Sequence, residues 1–184
     1  MPDPHLSPFH RLFDRAYPLI RFYYERVWRN SWFTQITPAE GITTGLWLGG
    51  APDTPQDYAF LLEHDIRAVV NIRAEREDDT AFYAQHGIHF VRYAVADVLT
   101  PDVETIESAV EWIQAQVDDE RDVLVHCAKG RGRSATLLVA YLIRYAGLSM
   151  QDAAALLKSK RRLTKLEDRH FRALGEWRKS YPTG

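Results

Sequence analysis

From residue 42 onward, short apolar runs alternate with stretches whose apolar residues recur every three or four positions. Residues 46–49 (LWLG), 67–72 (RAVVNI), 88–93 (IHFVRY) and 122–126 (DVLVH) read as strands, the last of them buried. Between them, Thr54 and Pro55 supply an N-cap and a first helical position for a helix to about His64. A second helix over about 78–86 stops at Gly87, and Thr100 with Pro101 repeats the cap signal before a third helix to about Val117. Three more helices follow over about 134–146, 149–159 and 166–180. Gly147 closes the first of these, and Thr164 with Glu167 forms a capping box for the last. Strands alternating with helices predict an α/β fold, a mainly parallel central sheet with helices on both faces.

The pattern changes near residue 34. Residues 1–33 hold nine of the chain's aromatic residues, with Arg11, Arg15, Arg21, Arg26 and Arg29 interleaved. Phe9, Leu12, Phe13, Ala16, Ile20, Tyr23 and Val27 follow the spacing of one helix face, and Pro18 either kinks that helix or starts a second one. The chain is therefore read as an aromatic, basic, helical appendage over 1–33 and an α/β domain over 34–184. The appendage either lies in a membrane interface or docks its apolar face on the domain.

Charge and composition narrow the chemistry. A net charge of −2 gives no electrostatic reason to expect nucleic-acid binding. The single cysteine excludes an internal disulfide and a multi-thiolate zinc site. His64, His86 and His89 lack metal-ligand spacing, so neither a metal nor another cofactor is expected. The absence of a long uncharged apolar stretch predicts no transmembrane segment. With Asp3, Asp14 and Glu25 among the first 33 residues, it also predicts no secretory signal, and the expectation is a cytoplasmic protein, at most peripheral to a membrane. Lys158, Lys160, Arg161 and Arg162 read as a solvated helix end, with support of an anionic surface as the alternative.

The lone thiol stands where chemistry is expected. Residues 123–136 end a buried strand, pass through a loop with Gly130 and Gly132, and enter a helix. Converging backbone N–H groups and the positive end of the helix make such a loop an anion site, with phosphate as the natural guest. Cys127 opens the loop, and these groups together with Arg133 favour thiolate, lowering its pKa to roughly 4–7 from about 8.5. The planar fork of Arg133 can hold two phosphate oxygens at once, so the segment reads as a nucleophile and a clamp for displacement at phosphorus.

His126-Cys127-x-x-Gly130-x-x-Arg133-Ser134 resembles the phosphate-binding loop of the cysteine-dependent protein tyrosine and dual-specificity phosphatases, and the similarity extends over about residues 36–180. Residues 42–50 (ITTGLWLGG) resemble the opening strand of the dual-specificity branch. The resemblance implies a protein tyrosine phosphatase-like fold of the dual-specificity type. It implies attack by Cys127, phosphoryl binding by Arg133 and by the loop residues Ala128, Lys129, Gly130, Arg131 and Gly132, and help from the Ser134 hydroxyl as the thiolate leaves. His126 either orients Cys127 or fills the strand end. The family carries an acid about thirty residues before the cysteine, where Asp97 stands; Asp102 is its competitor, read instead as a first-turn helix charge.

Tyr17-Pro18, Trp32-Phe33, the Glu75-Arg-Glu77 stretch and the loop ending Gly-Arg-Gly-Arg-Ser-Ala-Thr are similar to the branch of the mitochondrial phosphatidylglycerophosphate phosphatase. Ala128-Lys129 and Arg73-Ala74 depart from it. That branch implies a phospholipid headgroup phosphate such as phosphatidylglycerophosphate as substrate, at an anionic phospholipid surface. Phosphoprotein or inositol phosphate is the alternative, and a phosphate-recognition module without turnover is a second. Lys129 and Arg131 either add positive charge at the pocket mouth or are solvated loop charges.

Overall fold

Val123, Leu124 and Val125 are fully buried, which places their strand, β5 (Asp122–His126), inside a sheet covered on both faces. In the computed structural model, which describes residues 19, 21–27, 31–36 and 44–181, that sheet has five strands in the order β1-β2-β5-β3-β4. β5 pairs in parallel with β2 (Leu46–Gly49) on one side and with β3 (Ile66–Arg73) on the other. β3 pairs in parallel with β4 (His89–Val95), and only β1 (Phe33–Ile36) runs antiparallel, along β2. The α/β reading holds, with β1 added at the edge. Phe33, which composition groups with the N-terminal segment, is the first residue of β1 and lies opposite Gly49.

Six helices follow: α1 (Pro55–Glu63), α2 (Thr80–Gln85), α3 (Val103–Asp118), α4 (Arg133–Tyr145), α5 (Met150–Lys160) and α6 (Asp168–Ser180). The Thr54 capping box forms as expected, with Asp57 closing it. Three other helix starts differ from the sequence reading. Asp79 caps α2 by accepting from the Phe82 N–H, which leaves Asp78 outside the helix. Asp102, and not Thr100, caps α3 by accepting from the Thr105 N–H at 2.8 Å, because a carboxylate at that position satisfies an orphan donor. At α6 the box closes between Glu167 and His170, whose Nδ1 accepts from the Glu167 N–H at 2.9 Å; Thr164 takes no part.

α4 is the central helix, buried without interruption from Arg133 to Ile143. Glu107 ties its neighbours together, accepting from Trp177 Nε1 of α6 and pairing with Arg144 of α4.

The chain divides into two units, Met1–Trp32 and Phe33–Gly184. In the first, Arg21 pairs with Glu25 and its guanidinium lies 4.9 Å over the Trp32 ring, beside a π-helical turn, Tyr23–Val27. Phe22, Tyr23 and Val27 are more than half exposed. The other positions of the expected N-terminal helix face, Phe9, Leu12, Phe13, Ala16 and Ile20, lie outside the described residues, as does Pro18. No helix among the described residues is long and apolar enough to cross a membrane.

Candidate active site

The parallel strands β3, β4 and β5 end on the same edge of the sheet, where ligands of open α/β sheets bind. The chain leaving them carries Glu75, Asp97 and Cys127. Cys127 follows β5 directly and is 3% exposed. Burial alone pushes its thiol up. The Arg133 charge, the Ser134 hydroxyl donating to Sγ at 3.3 Å, and the N–H groups of Ser134 and Arg131 outweigh burial and hold the thiol at about 6, well below the ordinary thiol range.

Arg133 opens α4, and its guanidinium is buried among acceptors. Nη1 donates to Glu75 Oε2 at 2.8 Å and to the Val95 carbonyl at 2.6 Å, and Nη2 donates to Glu75 Oε1 at 2.7 Å. Asp97 Oδ1 stands 3.1 Å from Nη2. Burial would lower the pKa of this group, but the fork to Glu75 and the neighbouring Cys127 and Asp97 raise it. The structure thus joins the sequence candidates Cys127, Arg133, Ser134 and Asp97, and adds Glu75, which in the sequence is one member of an acidic stretch.

His126, at the end of β5, is fully buried. Its Nε2 lies 2.8 Å from Asp78 Oδ2, and its Nδ1 lies 3.4 Å from the Cys127 carbonyl. Asp78 also accepts from Asn71 Nδ2 at 3.0 Å, Arg73 Nη2 at 2.8 Å and the Tyr83 hydroxyl at 3.1 Å. Burial alone would raise its carboxyl; the His126 and Arg73 charges and hydrogen bonds keep it below the usual range.

The far side of the loop rests on Arg161, a correction to its reading as a solvated charge: it is 0% exposed. As the extended C-cap of α5 it points back at the loop. It donates from Nε to the Gly130 carbonyl at 3.1 Å, from Nη2 to the Lys129 carbonyl at 3.0 Å, and from Nη1 to Thr34 Oγ1 of β1 at 3.2 Å. Lys158 is no plain solvated charge either, since its Nζ donates to the Arg162 and Thr164 carbonyls; Lys160 and Arg162 are exposed. Gly130 has φ +63, and a Cβ there would meet the Gly49 carbonyl oxygen at 2.4 Å and Arg161 Nε at 2.9 Å. At Gly132 a Cβ would come within 2.7 Å of His170 Nε2, so both glycines let the loop lie flat against its supports. The Lys165 N–H donates to the Arg131 carbonyl at 2.9 Å, joining the α5–α6 connection to the same loop.

Arg161→Ala would leave two loop carbonyls without these donors and a void behind them. The expected cost is about 3 kcal/mol, on the order of 10 °C in Tm, with activity falling alongside. Thermal denaturation and turnover checks this, and Arg161→Lys is expected to recover little, since one ammonium cannot span three acceptors.

The histidines set aside in the sequence sit apart from this site. His64 stacks on Phe60, His86 caps α2 against Phe82, and His89 is exposed in β4. Among the described residues no three His, Cys, Asp or Glu gather as metal ligands.

Comparison with known proteins places this geometry. The chain is 28% identical over 131 residues to the phosphatidylglycerophosphate phosphatase PTPMT1 of Arabidopsis thaliana, covering 70% of this chain and 39% of that protein. It is 30% identical over 122 residues to dual specificity protein phosphatase 9 of Homo sapiens, covering 65% of this chain and 31% of that protein. The match thus spans less than half the length of either relative. Among solved structures, Tk-PTP in its active form aligns with a TM-score of 0.69 at 24% identity, over 79% of this chain and 97% of that one. PTPMT1 in complex with PI(5)P aligns with a TM-score of 0.72 at 22% identity, over 82% of this chain and 96% of that one. These likenesses show the protein tyrosine phosphatase fold. Residues 46–180 match the model of the dual specificity phosphatase catalytic domain, and the chain belongs to that phosphatase family.

Proposed function

We propose that this phosphatase hydrolyses phosphomonoesters through a phosphocysteine intermediate, and that its substrate is a phospholipid headgroup phosphate such as phosphatidylglycerophosphate. The observation that carries the chemistry is the Cys127 thiol, held at about 6 beside the Arg133 guanidinium and the start of α4. Cys127 thiolate attacks phosphorus while Arg133 and the N–H groups of residues 128–133 hold the phosphoryl oxygens. The ester oxygen leaves with the proton of Asp97. Water then attacks the phosphocysteine, its proton passes to the Asp97 carboxylate, and the Cys127 thiolate departs with the Ser134 hydroxyl donating to it. His126 orients Cys127 within the loop.

Support for the lipid comes from the name of the Arabidopsis relative, from the PI(5)P bound to PTPMT1, and from the exposed Phe22, Tyr23 and Val27 of the N-terminal unit. Lys129 and Arg131 put positive charge on the loop for a substrate with more than one negative group. A phosphoprotein substrate is the second reading, favoured by the human relative of 30% identity. Hydrolysis of p-nitrophenyl phosphate by the full chain tests the chemistry, and no turnover would leave only phosphate recognition. A panel of phosphatidylglycerophosphate, inositol phosphates and phosphopeptides tests the substrate.

On this reading the N-terminal segment brings the domain to an anionic phospholipid surface. Deleting residues 1–30 is expected to reduce activity on anionic vesicles at least tenfold more than on p-nitrophenyl phosphate, measured side by side. Equal losses would make the segment purely structural, and no loss on either would remove its part in the lipid reading.

A further inference from the structure

An acid that protonates a leaving oxygen needs a fixed place, and the segment carrying Asp97 is under backbone strain. Ala96–Leu99 is a tight turn, closed by the Leu99 N–H donating to the Ala96 carbonyl at 3.2 Å. Asp97 takes its second position and Val98 its third, where Val98 has φ +62. That left-handed conformation suits glycine or asparagine. Among the described residues three non-glycine positions have positive φ, Asp65, Val98 and Glu120, and only Val98 is β-branched. Val98 is also 52% exposed, so burial of its side chain does not offset the strain.

The turn is therefore held from outside. On one side stands Arg133, whose Nη1 donates to the Val95 carbonyl and whose Nη2 lies 3.1 Å from Asp97. The same guanidinium forks onto Glu75, so both terminal nitrogens already face acceptors. A phosphoryl group gripped by two donors of Arg133 competes for partners that the turn now uses. On the other side stands Arg169, in the first turn of α6. Its Nη1 donates to the Val98 carbonyl, and its Nη2 pairs at 3.1 Å with Glu167, the N-cap of α6. No step of the reaction claims this side chain.

We propose that Arg169 is a positioning residue of the phosphatase reaction, latching the Val98 carbonyl so that the strained turn keeps Asp97 in place to protonate the leaving oxygen while the phosphoryl group occupies Arg133. The proposal rests on the acid role of Asp97 given above.

The start of α6 suits this task because it also braces the phosphate loop. His170 Nε2 stands 2.7 Å from where a Cβ on Gly132 would lie, and the Lys165 N–H, just ahead of the helix, donates to the Arg131 carbonyl at 2.9 Å. One helix start thus touches the loop of the nucleophile through His170 and Lys165, and the turn of the acid through Arg169. The spacing between nucleophile and acid is then set by a rigid element, which holds geometry better than loop against loop.

Arg169→Ala is expected to lower kcat/KM on an alkyl monophosphate about tenfold, the share of the native turn that a left-handed β-branched residue forfeits when its tether is cut. On p-nitrophenyl phosphate, whose leaving group needs no proton, the expected loss is less than twofold. Adding Val98→Gly is expected to restore most of the alkyl phosphate rate, because glycine takes φ +62 without a tether. A glycine would not repair a general weakening of the fold. The loss on an alkyl bisphosphate should match that on the monophosphate. A loss confined to the bisphosphate would make Arg169 a contact for a second negative group instead, and overturn the proposal. Equal losses on alkyl and aryl phosphates, or no recovery in the double variant, would overturn it too.

Hydrogen exchange reads the latch without turnover. The Leu99 amide is expected to exchange about tenfold faster in Arg169→Ala than in the wild type. In the wild type it is expected to keep its protection when saturating inorganic phosphate occupies Arg133, a measurement that decides the matter should Arg169→Ala fail to fold. Unchanged exchange in the variant, or protection lost on adding phosphate, would show that Arg169 does not hold the turn. If exchange quickens but neither Arg169→Ala nor Asp97→Asn spares the aryl phosphate, the acid role of Asp97 falls and the tethered turn remains. If Asp97→Asn spares it and Arg169→Ala does not, the role of Arg169 falls alone.

Discussion

Cys127→Ser is expected to lower turnover of p-nitrophenyl phosphate by roughly 10⁴-fold or more, the scale seen when a covalent nucleophile is removed, while binding of inorganic phosphate stays measurable by calorimetry. Serine fits the space, so Arg133 and the loop N–H groups that hold the anion remain in place. What is lost is ionisation: the surroundings that hold a thiol at about 6 leave a hydroxyl essentially un-ionised near neutral pH. The pH dependence follows from the sign of the shift. Cys127 is depressed, so its thiolate dominates above about pH 6 and is lost as the pH falls through that value. A phosphomonoester also gains its second charge near pH 6, so the kcat/KM profile alone mixes two titrations. Alkylation of the one thiol separates them. Retained turnover above a few per cent in Cys127→Ser would overturn its role as nucleophile.

The central strand and the loop that follows it are legible in the sequence because local signals and tertiary environment agree there. Residues 123–125 are apolar because both faces of β5 are covered there, and the glycines of the loop mark places where a Cβ has no room. The charged run over 75–79 is different. Four carboxylates stand within five residues, and composition assigns them nothing individually. In the structure Glu75 forks onto Arg133, Glu77 pairs with Arg92, Asp78 receives His126, and Asp79 caps α2. What separates them is the path of the connection that leaves β3 and brings Asp78 against His126 at the end of β5, a matter of tertiary structure. The basic run over 158–162 hides Arg161 for the same reason. Four cations in five residues look like a solvated face, and only the extended backbone at the end of α5 turns one of them inward. β1 escaped because four residues are too few for a period to show, and its first residue is an aromatic beside an aromatic-rich segment.

Asp97 and Asp102 could not be separated on spacing alone, and the structure gives them different surroundings. Asp102 is bound to the start of α3 through the Thr105 N–H, which lowers its carboxyl, whereas Asp97 reaches the Arg133 guanidinium at 3.1 Å. If Asp97 protonates the departing oxygen, Asp97→Asn should lower kcat by roughly 10²-fold or more. The loss should be largest for alkyl phosphates, whose alkoxide cannot leave without a proton, and small for p-nitrophenyl phosphate, whose leaving group is stable as an anion. The acidic limb of the kcat/KM profile should stay where Cys127 and the substrate set it, since the substitution removes neither. Asp102→Asn should leave the rate and the leaving-group dependence unchanged, because asparagine caps a helix about as well as aspartate. Rates of the two variants on an alkyl and an aryl phosphate distinguish the carboxylates, and the acid would be Asp102 if its variant alone lost turnover of the alkyl phosphate.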